Sequence, residues 1–126
     1  MTDIYSKEKL IIVLMNDINS EFNTINVYLE NIDRLNYAKN KHQIDILVLE
    51  SFIHASSLAK RVLALHEGNS GVLDKNALDL VTTEEVALHE IYEFEAKSVI
   101  DAKTKKVLLD LAKAETKHQK LVKSLK

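Results

Sequence analysis

Leu108-Leu109-Asp110-Leu111-Ala112-Lys113-Ala114-Glu115-Thr116-Lys117-His118 is the stretch on which the fold turns. Glu115 and His118 lie three residues apart on the helical stripe that also carries Leu108, Leu111, Ala112, Val122 and Leu125. A carboxylate and an imidazole on an apolar helix face are costly to bury unless something satisfies them, and a metal ion would. Three further segments turn such groups inward: Glu21, then Glu50 with His54, then His89 with Glu93. Four helices aiming carboxylates and imidazoles at one core point to a dinuclear metal centre inside a bundle.

Composition agrees with an all-α chain. Its 126 residues suffice for one domain with one core. Proline is absent and glycine occurs only at positions 68 and 71, so the punctuation of a many-stranded fold is missing. The net charge is −2 with acids and bases interspersed, which leaves no footprint for nucleic acid. The cluster Lys103, Lys105, Lys106 reads as a solvated helix start or turn. There is no cysteine, which excludes disulfides, thiolate metal sites and a cysteine nucleophile. The apolar run Leu10-Ile11-Ile12-Val13-Leu14-Met15 has no cationic lead-in and no small-residue cleavage site, and Asn16 and Asp17 end it too soon for a bilayer. A soluble, cytoplasmic protein without a membrane partner is the expectation.

Periodicity predicts four helices. The first runs from about Ser6 to about Tyr37, with Leu10, Leu14, Asp17, Ile18, Glu21, Ile25, Tyr28, Ile32 and Leu35 inward. Lys39-Asn40-Lys41 makes the turn. The second runs from about His42 to His66, with Ile44, Leu47, Ser51, His54, Leu58, Val62 and Leu65 inward, and Gly68 stands where a C-terminal cap belongs. Residues 69 to 82 form the one long connection, able to reach about 46 Å when extended. Thr82 with Glu85 fits a capping box opening the third helix, whose inward face holds Val86, His89, Glu90, Glu93, either Ala96 or Lys97, and Ile100. A tight turn near Asp101 to Lys105 leads into the last helix. Residues equidistant from a turn lie level in an antiparallel pair. On that count Glu21 meets His54 about 24 Å from the first bend, and Glu93 meets Glu115 about 16 Å from the second.

Each candidate has a plainer reading. Glu115 and His118 could be a surface pair on a lysine-rich helix, and Glu21 a carboxylate in a core salt bridge. Glu50 and His54 are spaced by four, with Ser51 where a Glu-x-x-His motif would place its carboxylate; either Glu50 swings in, or His54 ligates alone beside Ser51. His89 one turn before Glu93 could be a satisfied or surface histidine. His42 and His66 fall at helix ends, and Tyr28 and Tyr92 read as core aromatics.

Taken together, Glu21 with Tyr28, Glu50-Ser51-Phe52-Ile53-His54, His89-Glu90-Ile91-Tyr92-Glu93 and Ala114-Glu115-Thr116-Lys117-His118 resemble the ferritin-like superfamily, and most of all its short rubrerythrin-like members. The resemblance covers nearly the whole chain. It implies a four-helix bundle with one long crossover between the second and third helices and a carboxylate-bridged centre of two iron ions. By that pattern Glu21 is a terminal ligand beside His54, Glu93 serves the second metal with His118, and Glu115 bridges. Ser51 leaves the second bridge open, with Glu50 as its substitute. Such a centre reacts with peroxide, dioxygen or ferrous iron. A rubrerythrin's cysteine-ligated domain has no counterpart here, so electrons would come from a separate donor protein. A homodimer is compatible with the pattern. Two other classes compete: a metal-free helical bundle that binds a partner through an apolar stripe, and a zinc- or manganese-binding bundle without redox turnover.

Overall fold

The computed structural model describes residues 6–69 and 71–126. Every regular element among them is helical: α1 (Lys7–Glu30), a short 3₁₀ turn (Ile32–Arg34), α2 (Tyr37–Leu65), α3 (Lys75–Ser98) and α4 (Ala102–Lys123). The all-α class and the four long helices are those expected. α1 packs on α2 and α3 on α4. The chain divides into two compact units, Met1–Asn69 and Ser70–Lys126, each a helical hairpin. No helix among the described residues is long and apolar enough to cross a membrane.

In the first hairpin the Ser6 side chain accepts from the Lys9 amide at 3.2 Å and caps α1. α1 stops at Glu30, seven residues before the expected end at Tyr37. Asparagines make the difference. The Asn31 side chain donates to the Val27 carbonyl at 2.7 Å, taking over an orphan acceptor of the last turn. Asn36 adopts φ 49°, a left-handed conformation that asparagine tolerates better than most residues. The expected turn at Lys39-Asn40-Lys41 is instead a kink inside α2, where Asn40 leaves helical geometry and its side-chain amide donates to the Leu35 carbonyl at 2.9 Å. Across that kink the Tyr37 hydroxyl donates to Asp45 at 2.6 Å and Lys41 pairs with the same carboxylate. Lys41, then Tyr37, hold the Asp45 carboxyl below its ordinary range. The buried line is Ile25 on α1 and Ile44, Ser51 and Ala55 on α2. Phe22 and Phe52 meet edge-to-face with centroids 6.5 Å apart. α2 is capped at His66 rather than at Gly68, which lies two residues further on with φ 82°, a conformation glycine adopts at little cost.

The second hairpin departs from expectation at its start. Asp74, not Thr82, caps α3, its carboxylate accepting from the Asn76 and Ala77 amides at 2.7 and 3.1 Å. The long connection therefore shortens to His66–Asp74, and Ser70 within it lies outside the described residues. Thr82 sits mid-helix, its hydroxyl donating to the Leu78 carbonyl at 2.7 Å. The inner line of α3 is Leu78, Thr82, Glu85, His89, Tyr92 and Ala96, whereas Val86, Glu90, Glu93 and Ile100 are exposed. The bend is also tighter than expected. Val99 is extended, and Asp101 caps α4 by accepting from the Thr104 amide at 2.8 Å; the Thr104 hydroxyl, which also donates to that carboxylate, and then the amide hold the Asp101 carboxyl below its ordinary range.

The two candidate caps of α3 are separable by mutation. Asp74→Ala should lower unfolding stability by about 1 kcal/mol, the usual worth of such a cap, while Thr82→Ala in the helix interior should change it by no more than a few tenths, since alanine is the better helix former. Urea unfolding of both variants gives the order; a larger loss at Thr82 would put the helix start back at that residue.

Candidate metal centre

α3 and α4 approach through Ala96 and Ala112, which are 0 % and 4 % exposed. Small side chains there let larger polar ones meet further from the bend. Glu85 and Glu115 are each fifteen residues from Ile100, at the centre of the turn, so they lie level on facing helices. Glu115 is only 8 % exposed, among the most buried side chains in the protein. His118, less than one turn beyond it, places Nδ1 3.4 Å from Glu115 Oε2 and 3.3 Å from Glu85 Oε2. One ligating atom from each of the three lies within 4.8 Å of the others.

Those spacings suit a cation. Oxygen and nitrogen ligands about 2.0–2.2 Å from an ion stand roughly 3.0–3.5 Å from one another when they occupy neighbouring positions. The two histidine edges fall within that range. Glu115 Oε2 is buried and makes no hydrogen bond, although the His118 ring stands near it. A buried carboxylate oxygen without a donor is unfavourable, and an ion at the shared edge would relieve it. Two carboxylates and an imidazole form an N/O set that takes iron, manganese or zinc. The residues present therefore fit a divalent metal.

The Glu85 carboxyl is raised above its ordinary value of 4.5, first by its hydrogen bond with Glu115, then by desolvation and the charge of Glu115, with His118 acting in the opposite sense. Glu85 was absent from the site expected from the sequence, where it served as the far end of a capping box. The usable signal was Asp74: with the cap placed there, Glu85 becomes a mid-helix carboxylate on the line Leu78, Thr82, His89.

Glu93 was expected opposite Glu115, and the structure corrects this. The expected pairing placed the centre of the bend at Thr104, whereas the turn between Ser98 and Ala102 is centred on Ile100, four residues earlier, which moves the partner of Glu115 two turns along α3. Glu93 instead pairs with His89 on its own helix, Oε1 to Nε2 at 2.7 Å. His89 Nδ1 donates to the Ala112 carbonyl at 2.9 Å. His89 and Glu93 line an open cleft of about 380 Å³ with Lys97, Lys105 and Lys113, and they do not join the Glu85, Glu115, His118 group.

The first hairpin brings together Glu21 and His54 as expected, with His54 Nδ1 3.5 Å from Glu21 Oε1. The His54 side chain is 59 % exposed and that of Glu21 28 %. Both line a cavity of about 470 Å³ with Asp17, Ser20, Ser57 and Leu58. Ser51 is buried and its hydroxyl donates to the Leu47 carbonyl at 3.1 Å. Glu50 is exposed and takes part in no ion pair or side-chain hydrogen bond among the described residues.

Scanned against family models, curated proteins and solved structures, the chain matches none.

The raised Glu85 carboxyl has a definite pH signature. Between pH 4.5 and its higher folded value the folded state binds more protons than the unfolded chain, so stability falls as pH rises through that window. Asp45 and Asp101, shifted the other way from 3.8, contribute their stability fully above that pH and do not disturb the window. Metal-free protein should therefore have a higher urea midpoint at pH 5 than at pH 7 by more than Glu85→Gln does. Equal pH dependence in the two proteins would count against the raised Glu85 carboxyl.

Proposed function

We propose that this chain is a metal-binding helical protein of the di-iron carboxylate type, using Glu85, Glu115 and His118 as its principal ligands and Glu21 with His54 as further ones. The observation that carries the reading is the Glu115 carboxylate, buried between two helices with one oxygen lacking a hydrogen bond and facing Glu85 and His118. The ferritin-like resemblance supports iron, since it implies a carboxylate from the third helix, a place that Glu85 fills better than Glu93.

Bound iron would supply redox chemistry with peroxide or dioxygen. The side chains do the rest. Glu85, its carboxyl raised above the ordinary range, has to be deprotonated to ligate, which makes binding tighter as pH rises. His118 contributes a neutral nitrogen to an otherwise anionic set. Three protein ligands leave positions for water or an oxidant on an octahedral ion. These 126 residues hold no cysteine, so electrons for turnover would have to come from outside them. A cytoplasmic setting belongs to the same reading, since ferrous iron and reductants are both available there.

Elemental analysis of purified protein is the first test. Glu115→Ala should lose most of the bound metal, while Glu84→Ala and Glu95→Ala, at exposed positions, should retain it. Equal retention in all three would place the metal elsewhere.

Reactivity is the second test. Ferrous-loaded protein should oxidise its iron with peroxide faster than free ferrous ion under matched conditions, and His118→Ala should slow this with helicity intact by circular dichroism. A loaded protein no faster than free iron leaves a zinc- or manganese-binding protein without redox turnover.

A further inference from the structure

The two hairpins repeat one arrangement, and the repeat is incomplete in the first. In the second, α3 supplies Glu85, and α4 supplies Glu115 with His118 three residues on. In the first, α1 supplies Glu21 and α2 supplies His54, while Ser51 occupies the place three residues before the histidine that Glu115 holds in α4. Serine brings no charge, and its hydroxyl is already given to the Leu47 carbonyl. Glu50 does not replace it: one residue away is about 100° round a helix, and that side chain is exposed.

The ligand sets therefore differ in both number and charge. The second hairpin offers two carboxylates and an imidazole; the first offers one carboxylate and an imidazole. They differ in shelter at the carboxylate, since the Glu115 side chain is 10 % exposed and that of Glu21 28 %, while the histidines are similarly open at 49 % for His118 and 59 % for His54. An ion at Glu21 and His54 competes with water for more of its positions and interacts through a higher effective dielectric. Loss of a supporting group beyond the ligands costs a metal site about 10–100-fold in affinity, so loss of a charged ligand costs at least as much.

We infer that the two hairpins bind metal unequally, with one ion held tightly by Glu85, Glu115 and His118 and a second held weakly and exchangeably by Glu21 and His54. This rests on the metal-binding reading above and adds the order and strength of loading. Ser51 is the residue that makes the difference.

Titration of the full-length, metal-free protein with cobalt(II), followed by visible absorbance and by metal analysis after desalting, tests it. The wild type should retain one equivalent through desalting and show a second step at least about tenfold weaker. Glu115→Gln should abolish the retained equivalent. His54→Ala should leave that equivalent in place and remove the weaker step. Ser51→Asp or Ser51→Glu should raise the retained metal towards two equivalents, and if neither variant folds, His54→Ala alone decides. Two equivalents retained by the wild type, or loss of the retained ion in His54→Ala to the same degree as in Glu115→Gln, would overturn the inequality while leaving metal binding standing. A wild type that retains no metal, with Glu115→Gln no different, would overturn both.

Discussion

A carboxylate enclosed between two helices has to be neutralised, and Glu115 is the group on which the second hairpin turns. Its neighbours offer two remedies. The first is Glu85, whose carboxyl, beside Glu115, sits above its ordinary range. The second, on the metal-binding reading proposed above, is a cation taken up with His118 as a third ligand, which would link metal affinity to proton uptake and to the stability of the α3–α4 pair.

That linkage matters more because the buried apolar set is small. Ile25, Ile44 and Ala55 are the buried hydrophobic residues of the first hairpin, and Ala96 and Ala112 those of the second. With so little apolar surface enclosed by those residues, a single unsatisfied carboxylate weighs heavily, and ligation that relieves it is a large relative gain. The caps serve the same end. Asp101 and Asp74 set where α4 and α3 begin, and so decide which residues of the two helices stand level.

Much of this was legible in the residues. The period of apolar positions marks four helices, Gly68 is visible as a glycine just past a long stripe, and Glu21 with His54 and Glu115 with His118 stand out as polar groups on apolar faces. The boundaries were less legible. Asn31, Asn36 and Asn40 each capture a backbone group locally, and together they end α1 early and kink α2, although no glycine or proline announces either event. Thr82-x-x-Glu85 has the form of a capping box, and only the Asp74 carboxylate accepting two amides shows that the helix begins earlier.

Sequence by itself determined the helical class, the lack of thiol chemistry and the Glu115–His118 pair, because helix period, composition and i,i+3 proximity are properties of a short segment. Tertiary structure decided the partners. Which carboxylate faces Glu115 depends on where the connecting turn closes, and that follows from competition among caps worth only about 1 kcal/mol each. Moving the bend by four residues moves the facing position by eight, about 12 Å along α3, which is the difference between Glu93 and Glu85. A local pattern cannot resolve a choice that small, yet its consequence is which carboxylate stands beside Glu115.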